Sequence, residues 1–273
     1  MNLAKELLET RVSAGEIAVC WTGQAGFILK DNSRRTLAID LYLTDCGERY
    51  KGFKRIAPKL LSPMEVAPDY YLITHTHFDH LDYDAIPIIA SAGKTMFIGP
   101  FSVAEKLREM MIPEERIMCM DYGDTVLMDG IRVTSVYADH NHMVPESFGY
   151  IVDMGGHRLY FSGDTCYRED IFEKVSQMEP DIFIGCTNGM FGNMSAEEAA
   201  KAAILVGAKA AIPCHFWMFL EHHGCPGEFA DYLKNNSDTY RPFIFRQGEI
   251  RSFAVAADSQ MERMASVEKV IAI

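Results

Sequence analysis

The stretch that most constrains this chain runs from Tyr70 to His80. A β-prone apolar run, Tyr70-Tyr-Leu-Ile-Thr74, passes directly into His75-Thr-His77-Phe-Asp79-His80. The first part reads as a buried strand. The second places three of the chain's nine histidines, with an aspartate, inside six residues. Imidazole and carboxylate are the donor set expected for zinc, manganese or iron, with no soft thiolate among them. Side chains leaving the end of a strand are held by a rigid element. In such a loop His75 and His77 can face one metal while Asp79 and His80 face a second.

The same arrangement recurs further along. The run 132–138 leads into Asp139-His140, the run 158–161 leads through Ser162-Gly163 into Asp164, and the run 209–214 leads into His215. Taken singly, His215 could be a hydrogen-bonded core histidine and Asp164 a turn or helix-cap residue. Repetition of one arrangement, together with the cluster at 75–80, selects the metal reading. A carboxylate such as Asp164 can bridge two cations, and seven ligands suffice for two metals that keep a position open for water. His142 competes with His140 as a ligand; His140 is favoured because it follows its strand immediately.

Short strand-like runs fill the first two-thirds of the chain: 16–21, 26–30, 36–43, 70–74, 95–98, 132–138, 149–153 and 158–161. Turn signals separate them, including Asp129-Gly130 and the Gly155-Gly156 pair, which reads as a hairpin tip. Helical spacing marks 101–111, with Pro113 soon after, and 195–206, which opens on the capping box Ser195-Ala-Glu-Glu198 and stops at Gly207. The last third alternates: strand 181–185, helix 195–206, strand 209–214, helix 227–235. Sheets covered by helices follow, an α/β (α+β) layered architecture. No repeat, low-complexity tract or linker interrupts the 273 residues, so a single domain over 1–273 is expected.

Composition narrows the partners. With 48% hydrophobic and 23% charged residues the chain can bury a sizeable core, which excludes wholesale disorder. No apolar run approaches the ~18–20 residues needed to cross a bilayer. The first eleven residues carry Lys5, Glu6 and Glu9 and lack the apolar centre of a secretory signal. A net charge of −12 disfavours nucleic acid and anionic membranes as partners. Seven cysteines without a C-x-x-C pair argue against a disulfide framework and fit a reducing compartment. The expectation is a cytoplasmic protein, with homo-oligomerisation left open.

In this order, His75-x-His77-x-Asp79-His80, His140, Asp164 and His215 resemble the metallo-β-lactamase superfamily, over roughly residues 17–252. The resemblance implies a four-layer αββα sandwich with a two-metal site at the edge between its halves. It implies that His75, His77 and His140 hold the first metal, that Asp79, His80 and His215 hold the second, and that Asp164 bridges them. The metals would be zinc or manganese, with iron also compatible. Asp40 resembles the early aspartate that supports the ligands from behind. Within the superfamily, Val19-Cys-Trp-Thr-Gly23, Phe97-Ile-Gly-Pro100, Ser162-Gly-Asp164, Ile212-Pro-Cys-His215, Pro242-Phe-Ile244 and Gln247-Gly248 resemble the L-ascorbate-6-phosphate lactonase group. Phe216 stands after His215, where that group leads one to expect a second histidine.

The activity implied is metal-dependent hydrolysis by a metal-held hydroxide of a small anionic substrate, a sugar-acid lactone, phosphorylated or not, such as L-ascorbate 6-phosphate, with Asp79 orienting the attacking water or moving its proton. A phosphodiesterase of the same superfamily is the alternative, and a non-catalytic metal-binding or sensing module is the alternative from another class. Glutamate is typical of the superfamily's di-iron oxygen reducers at the position of His77, so histidine there favours hydrolysis. For a substrate phosphate, the basic stretch Arg49, Lys51, Lys54, Arg55 and Lys59 offers Arg55, and Arg168 follows Asp164 closely. Asn188, His222 and His223 lie beyond strand ends, and Asn188 and His222 are the further candidates for substrate contact.

Overall fold

The computed structural model describes residues 2–254, so residue 1 and residues 255–273 of the expected domain span lie outside the described residues. In chain order the strands are β1 (Glu16–Gly23), β2 (Gly26–Lys30), β3 (Thr36–Ile39), β4 (Tyr70–Leu72), β5 (Met96–Gly99), β6 (Ile117–Cys119) and β7 (Thr125–Met128). They continue as β8 (Ile131–Tyr137), β9 (Phe148–Met154), β10 (His157–Phe161), β11 (Ile182–Cys186), β12 (Ala210–Cys214), β13 (Arg241–Pro242) and β14 (Ile250–Ala254). The helices are α1 (Leu3–Glu9), α2 (Cys46–Lys51), α3 (Ala85–Ala92), α4 (Phe101–Glu109), α5 (Glu169–Ser176), α6 (Ala196–Val206) and α7 (Pro226–Asn236).

The strands form two seven-stranded sheets, ordered β14-β1-β2-β3-β4-β5-β6 and β13-β12-β11-β10-β9-β8-β7. Each sheet is antiparallel in one half and parallel in the other: β3 to β6 are mutually parallel, as are β10 to β13. Period-two alternation sorts the side chains into layers. Ile17, Val19, Trp21, Phe27, Leu29, Leu37, Ile39, Leu72 and Ile98 face Val133, Tyr150, Val152, Leu159, Phe161, Ile182, Ile184 and Ile212 in one core between the sheets. The intervening residues Cys20, Ile28, Ala38, Tyr71 and Phe97 pack outward against Leu3 of α1, Ile86 and Ile89 of α3, and Val103 and Leu107 of α4. On the other side Ile151, Tyr160, Phe183 and Ala211 pack beneath α5, α6 and α7 through Phe172, Ala199, Ala203, Phe229 and Leu233. The layers are therefore α, β, β and α.

Several local expectations meet a different outcome. The run 36–43 stops as a strand at Ile39, because Asp40 turns to a positive φ of 46°. The run 70–74 ends at Leu72, and the helix expected over 101–111 ends at Glu109. Strands β6, β7, β13 and β14 and helices α1, α2, α3 and α5 lie outside the expected elements; most are short, whereas α5 carries a legible apolar face in Ile171, Phe172 and Val175. The capping box forms as read: the Ser195 hydroxyl accepts from Glu198 N at 3.3 Å and the Glu198 carboxylate from Ser195 N at 2.8 Å. Among the described residues all seven cysteines are free thiols. No helix among those residues is long and apolar enough to cross a membrane.

The tip joining β9 to β10 is Gly155-Gly156, with φ of 61° and 85°. A side chain at Gly155 would also meet the Glu16 carbonyl, 2.6 Å from the added Cβ, whereas one at Gly207, φ 80°, meets nothing within 4 Å. Gly207→Ala should therefore cost only the left-handed penalty of about 1 kcal/mol. Gly155→Ala should cost about 2 kcal/mol or more, since β1 must also shift. Urea unfolding of the two variants checks the order; equal losses would refute the steric account of this turn.

Candidate metal centre

Directionality places the site. β1 runs with β3 because two antiparallel pairings separate them, and β4 is parallel to β3. In the other sheet β8 runs with β10 for the same reason, and β11 and β12 are parallel to β10. The carboxyl ends of these strands carry Gln24 after β1, Asp40 after β3, the 75–80 loop after β4, His140 after β8, Asp164 after β10, Asn188 after β11 and His215 after β12. The β4 loop also bonds to the second sheet: Tyr150 Oη donates to Ile73 O at 2.9 Å and Phe148 N to Thr74 O at 3.1 Å.

All seven side chains singled out as ligands converge. His75, His77, His140 and Asp164 each present one donor atom within 4.8 Å of the others, and so do Asp79, His80 and His215. His77 Nδ1 lies 3.0 Å from His75 Nε2 and 3.2 Å from His140 Nε2. His80 Nε2 and His215 Nε2 are 3.1 Å apart. Asp164 stands between the groups: Oδ1 is 3.3 Å from both His80 Nε2 and His215 Nε2, and Oδ2 is 3.7 Å from His140 Nε2. His142 is exposed and belongs to neither group.

The hydrogen bonds behind these atoms fix which nitrogens are bare. Asp40 accepts from Thr74 N at 2.9 Å, from Thr74 Oγ1 at 2.6 Å and from His80 Nδ1 at 2.7 Å. Thr74 Oγ1, its hydrogen given to Asp40, can accept from His75 Nδ1 at 3.0 Å. A neutral imidazole has one N–H, so His75 turns a lone pair on Nε2 towards the cluster, and His80 does the same once a cation displaces its second proton. Facing lone pairs at such separations repel unless a proton or a metal cation lies between them. Asp164 Oδ1 is buried and meets only the ring nitrogens of His80 and His215, each at 3.3 Å, which fits the same cation.

The electrostatics agree. Burial holds His75 well below the ordinary histidine range, assisted by His80, and burial also lowers His77 and His140. Those imidazoles are neutral, as ligands must be. Burial would lower His80 too, yet Asp164, Asp40 and Asp79 together hold it well above that range. Burial would raise Asp79 and Asp164, but His80 and His215 keep both well below the usual carboxylate range. A cluster that raises a fully buried histidine in this way is one that demands positive charge.

A cleft of about 460 Å³ opens over the cluster, with His77, Asp79, His140, Asp164 and His215 at its surface. Asn188 and His222, expected at the substrate, do line it. Arg55 and Arg168 do not. The Arg55 guanidinium donates to Tyr42 O at 2.7 Å and Thr44 O at 2.9 Å and lies over the Tyr42 ring, bracing the chain after β3. Arg168 pairs with Asp139 and Asp170 beside a different depression, near Tyr122 and Lys174. His223 is exposed and outside the cleft lining.

Two buried amides were not read from the sequence. Gln24 Nε2 donates to Asp79 Oδ2 at 2.7 Å and to His222 Nδ1 at 3.0 Å, while the main-chain carbonyl of Gln24 accepts from His215 N at 2.9 Å. Asn193 Nδ2 donates to Asp164 Oδ2 at 2.7 Å. The positive φ of Gln24, 54°, inside the β1–β2 turn was the sole local peculiarity, and it is invisible in the residue type.

Asp40→Ala should weaken zinc or manganese binding ~10–100-fold, because the His80 ring and the Thr74 amide lose their acceptor. His142→Ala should leave binding unchanged. Competition with a chromophoric chelator measures both, and wild-type affinity in the Asp40 variant would overturn this account.

Comparison with known proteins gives the arrangement its relatives. The sequence signature of the beta-lactamase superfamily domain matches residues 40–216, which span Asp40 to the residue after His215. A UPF0173 metal-dependent hydrolase of Methanopyrus kandleri is 30% identical over 240 residues, covering 85% of this chain and 97% of that protein. A UPF0173 metal-dependent hydrolase of Methanosarcina mazei is 28% identical, covering 86% of this chain and 97% of its own. In fold the chain is similar to Igni18, a metallo hydrolase of Ignicoccus hospitalis, with a TM-score of 0.69 at 19% identity, covering 88% of this chain and 100% of that one. The chain belongs to the beta-lactamase superfamily, among its UPF0173 metal-dependent hydrolases.

Proposed function

We propose that this protein hydrolyses a carboxylic ester or lactone at two divalent metal ions, zinc or manganese, held by the seven His and Asp side chains. The observation that carries the reading is Asp164, whose two oxygens face the two histidine groups separately. The first metal would rest on His75, His77 and His140, the second on Asp79, His80 and His215, with Asp164 shared. Bound there, the metals supply Lewis acidity, acidifying water and polarising the substrate carbonyl.

The chain's own groups do the rest. The oxygen of water bonds to the carbonyl carbon, the C–O bond of the ester breaks, and the alkoxide leaves with the proton that the water gave up. Asp79, whose Oδ2 accepts from Gln24 at 2.7 Å, would take that proton and hand it to the alkoxide. His222 accepts from Gln24 through Nδ1, so its Nε2 carries the hydrogen and can donate at the cleft wall. Asn188 Oδ1 is buried without a partner and can accept from substrate. Cysteine nucleophiles do not compete: burial pushes Cys214 well above its ordinary range and raises Cys166.

Of the phosphorylated sugar-acid lactone suggested by the sequence, this reading keeps the ester carbonyl and drops the phosphate, since Arg55 and Arg168 are engaged elsewhere. The test is hydrolysis of simple esters and lactones by protein loaded with zinc or manganese, with and without chelator. Turnover should vanish with chelator, and His77→Ala should lower it at least ~100-fold while circular dichroism stays native. Full activity of that variant, or of metal-stripped protein, would sink the mechanism.

A further inference from the structure

The cleft above the cluster is more selective than the reaction requires. Phe53 is its aromatic hub, with ring centroids 5.6 Å from Phe78, 5.8 Å from Phe191 and 6.1 Å from His222. Phe191 is held at a positive φ of 56° and remains 36% exposed, at the cleft surface. Met143, Val144 and Pro145 add a second apolar stretch. Aromatic and aliphatic walls of this kind favour a flat apolar group by area and ring contacts.

Charge is scarce by comparison. Lys51, exposed at the last turn of α2, is the one lysine or arginine among the described residues that line the cleft. Of its neighbours in the basic stretch, Arg49 pairs with Asp84, Arg55 with backbone carbonyls and Lys59 with Asp45, while Lys54 is exposed and outside the cleft lining. A phosphate group calls for several charge-assisted donors or a bidentate arginine. One exposed ammonium serves a single negative charge at most.

Resting on the hydrolytic reading above, we infer that the substrate is an ester or lactone bearing an aryl or similarly flat apolar group, with no more than one negative charge. The apolar group lies against Phe53 and Phe191, and any charge points to Lys51. Sugar acids, polyols and phosphorylated lactones fall outside this class.

Two readouts on the full-length, metal-loaded protein test it. Acid release from methyl phenylacetate, methyl acetate and the monoanion methyl 4-carboxyphenylacetate, and loss of the enediol absorbance of L-ascorbate 6-phosphate under nitrogen, give relative kcat/KM. Calorimetric binding of phenylacetate, acetate and L-ascorbate 6-phosphate gives affinity independently of turnover. Phenylacetate should bind, and its ester react, at least about tenfold better than the acetate counterparts. Phe191→Ala should lower that aryl-over-methyl ratio at least about tenfold, and Phe191→Leu less, because part of the apolar area remains. Lys51→Met should reduce the monoanion-over-neutral ratio by about two- to fivefold. Equal binding of acetate and phenylacetate, or tightest binding of the phosphorylated lactone, would overturn the inference while leaving hydrolysis intact. Selective binding of phenylacetate with no chelator-sensitive turnover would uphold the cleft's preference and refute the hydrolytic reading instead.

Discussion

Chain direction is the constraint on which the rest of this structure depends. β1, β3, β4, β8, β10, β11 and β12 all point their carboxyl ends to one edge of the sandwich. Residues far apart in sequence, from Gln24 to His215, therefore leave their strands side by side. Ligands at the carboxyl ends of co-directional strands are a recurrent solution in open sheets, because the strand ends are rigid and the loops beyond them are free to vary. Here two sheets contribute, and Tyr150 joins them by bonding across to the β4 loop.

Convergence has an electrostatic cost that explains the layer of groups behind the cluster. Five imidazoles and two carboxylates in a buried space carry lone pairs and negative charge that repel one another. Asp40 and Thr74 fix the ring tautomers, Gln24 holds Asp79 and His222, and Asn193 holds Asp164. Each support restrains a side chain in an arrangement that becomes favourable once positive charge enters. The same logic accounts for a buried histidine, His80, raised by three aspartates against the effect of its burial.

Membership in a superfamily with many chemistries does not choose a substrate, because function resides in the site rather than in the fold. In this chain the proposed distinction lies above the cluster, in the aromatic group around Phe53 and the single lysine of the cleft lining. Arg55 illustrates the point. It sits in a basic stretch ahead of the metal loop, yet its guanidinium closes on the carbonyls of Tyr42 and Thr44 and on the Tyr42 ring.

Much of the cluster was legible in the amino-acid sequence because chemistry and local order coincide there. Apolar runs that end on histidine or aspartate declare both a strand and a donor, and glycine pairs declare their turns. The layered class followed from the same alternation, which the two sheets use to divide inner from outer faces. What the sequence alone determined, then, was which side chains could meet a metal and which elements would carry them. Tertiary structure alone decided where Gln24, Asn193, Arg55 and Arg168 point, since amides and guanidiniums take the nearest partner in space. It also decided that Phe53, Phe78 and Phe191 form one wall, because aromatic residues in separate loops have no spacing rule to announce that they will touch.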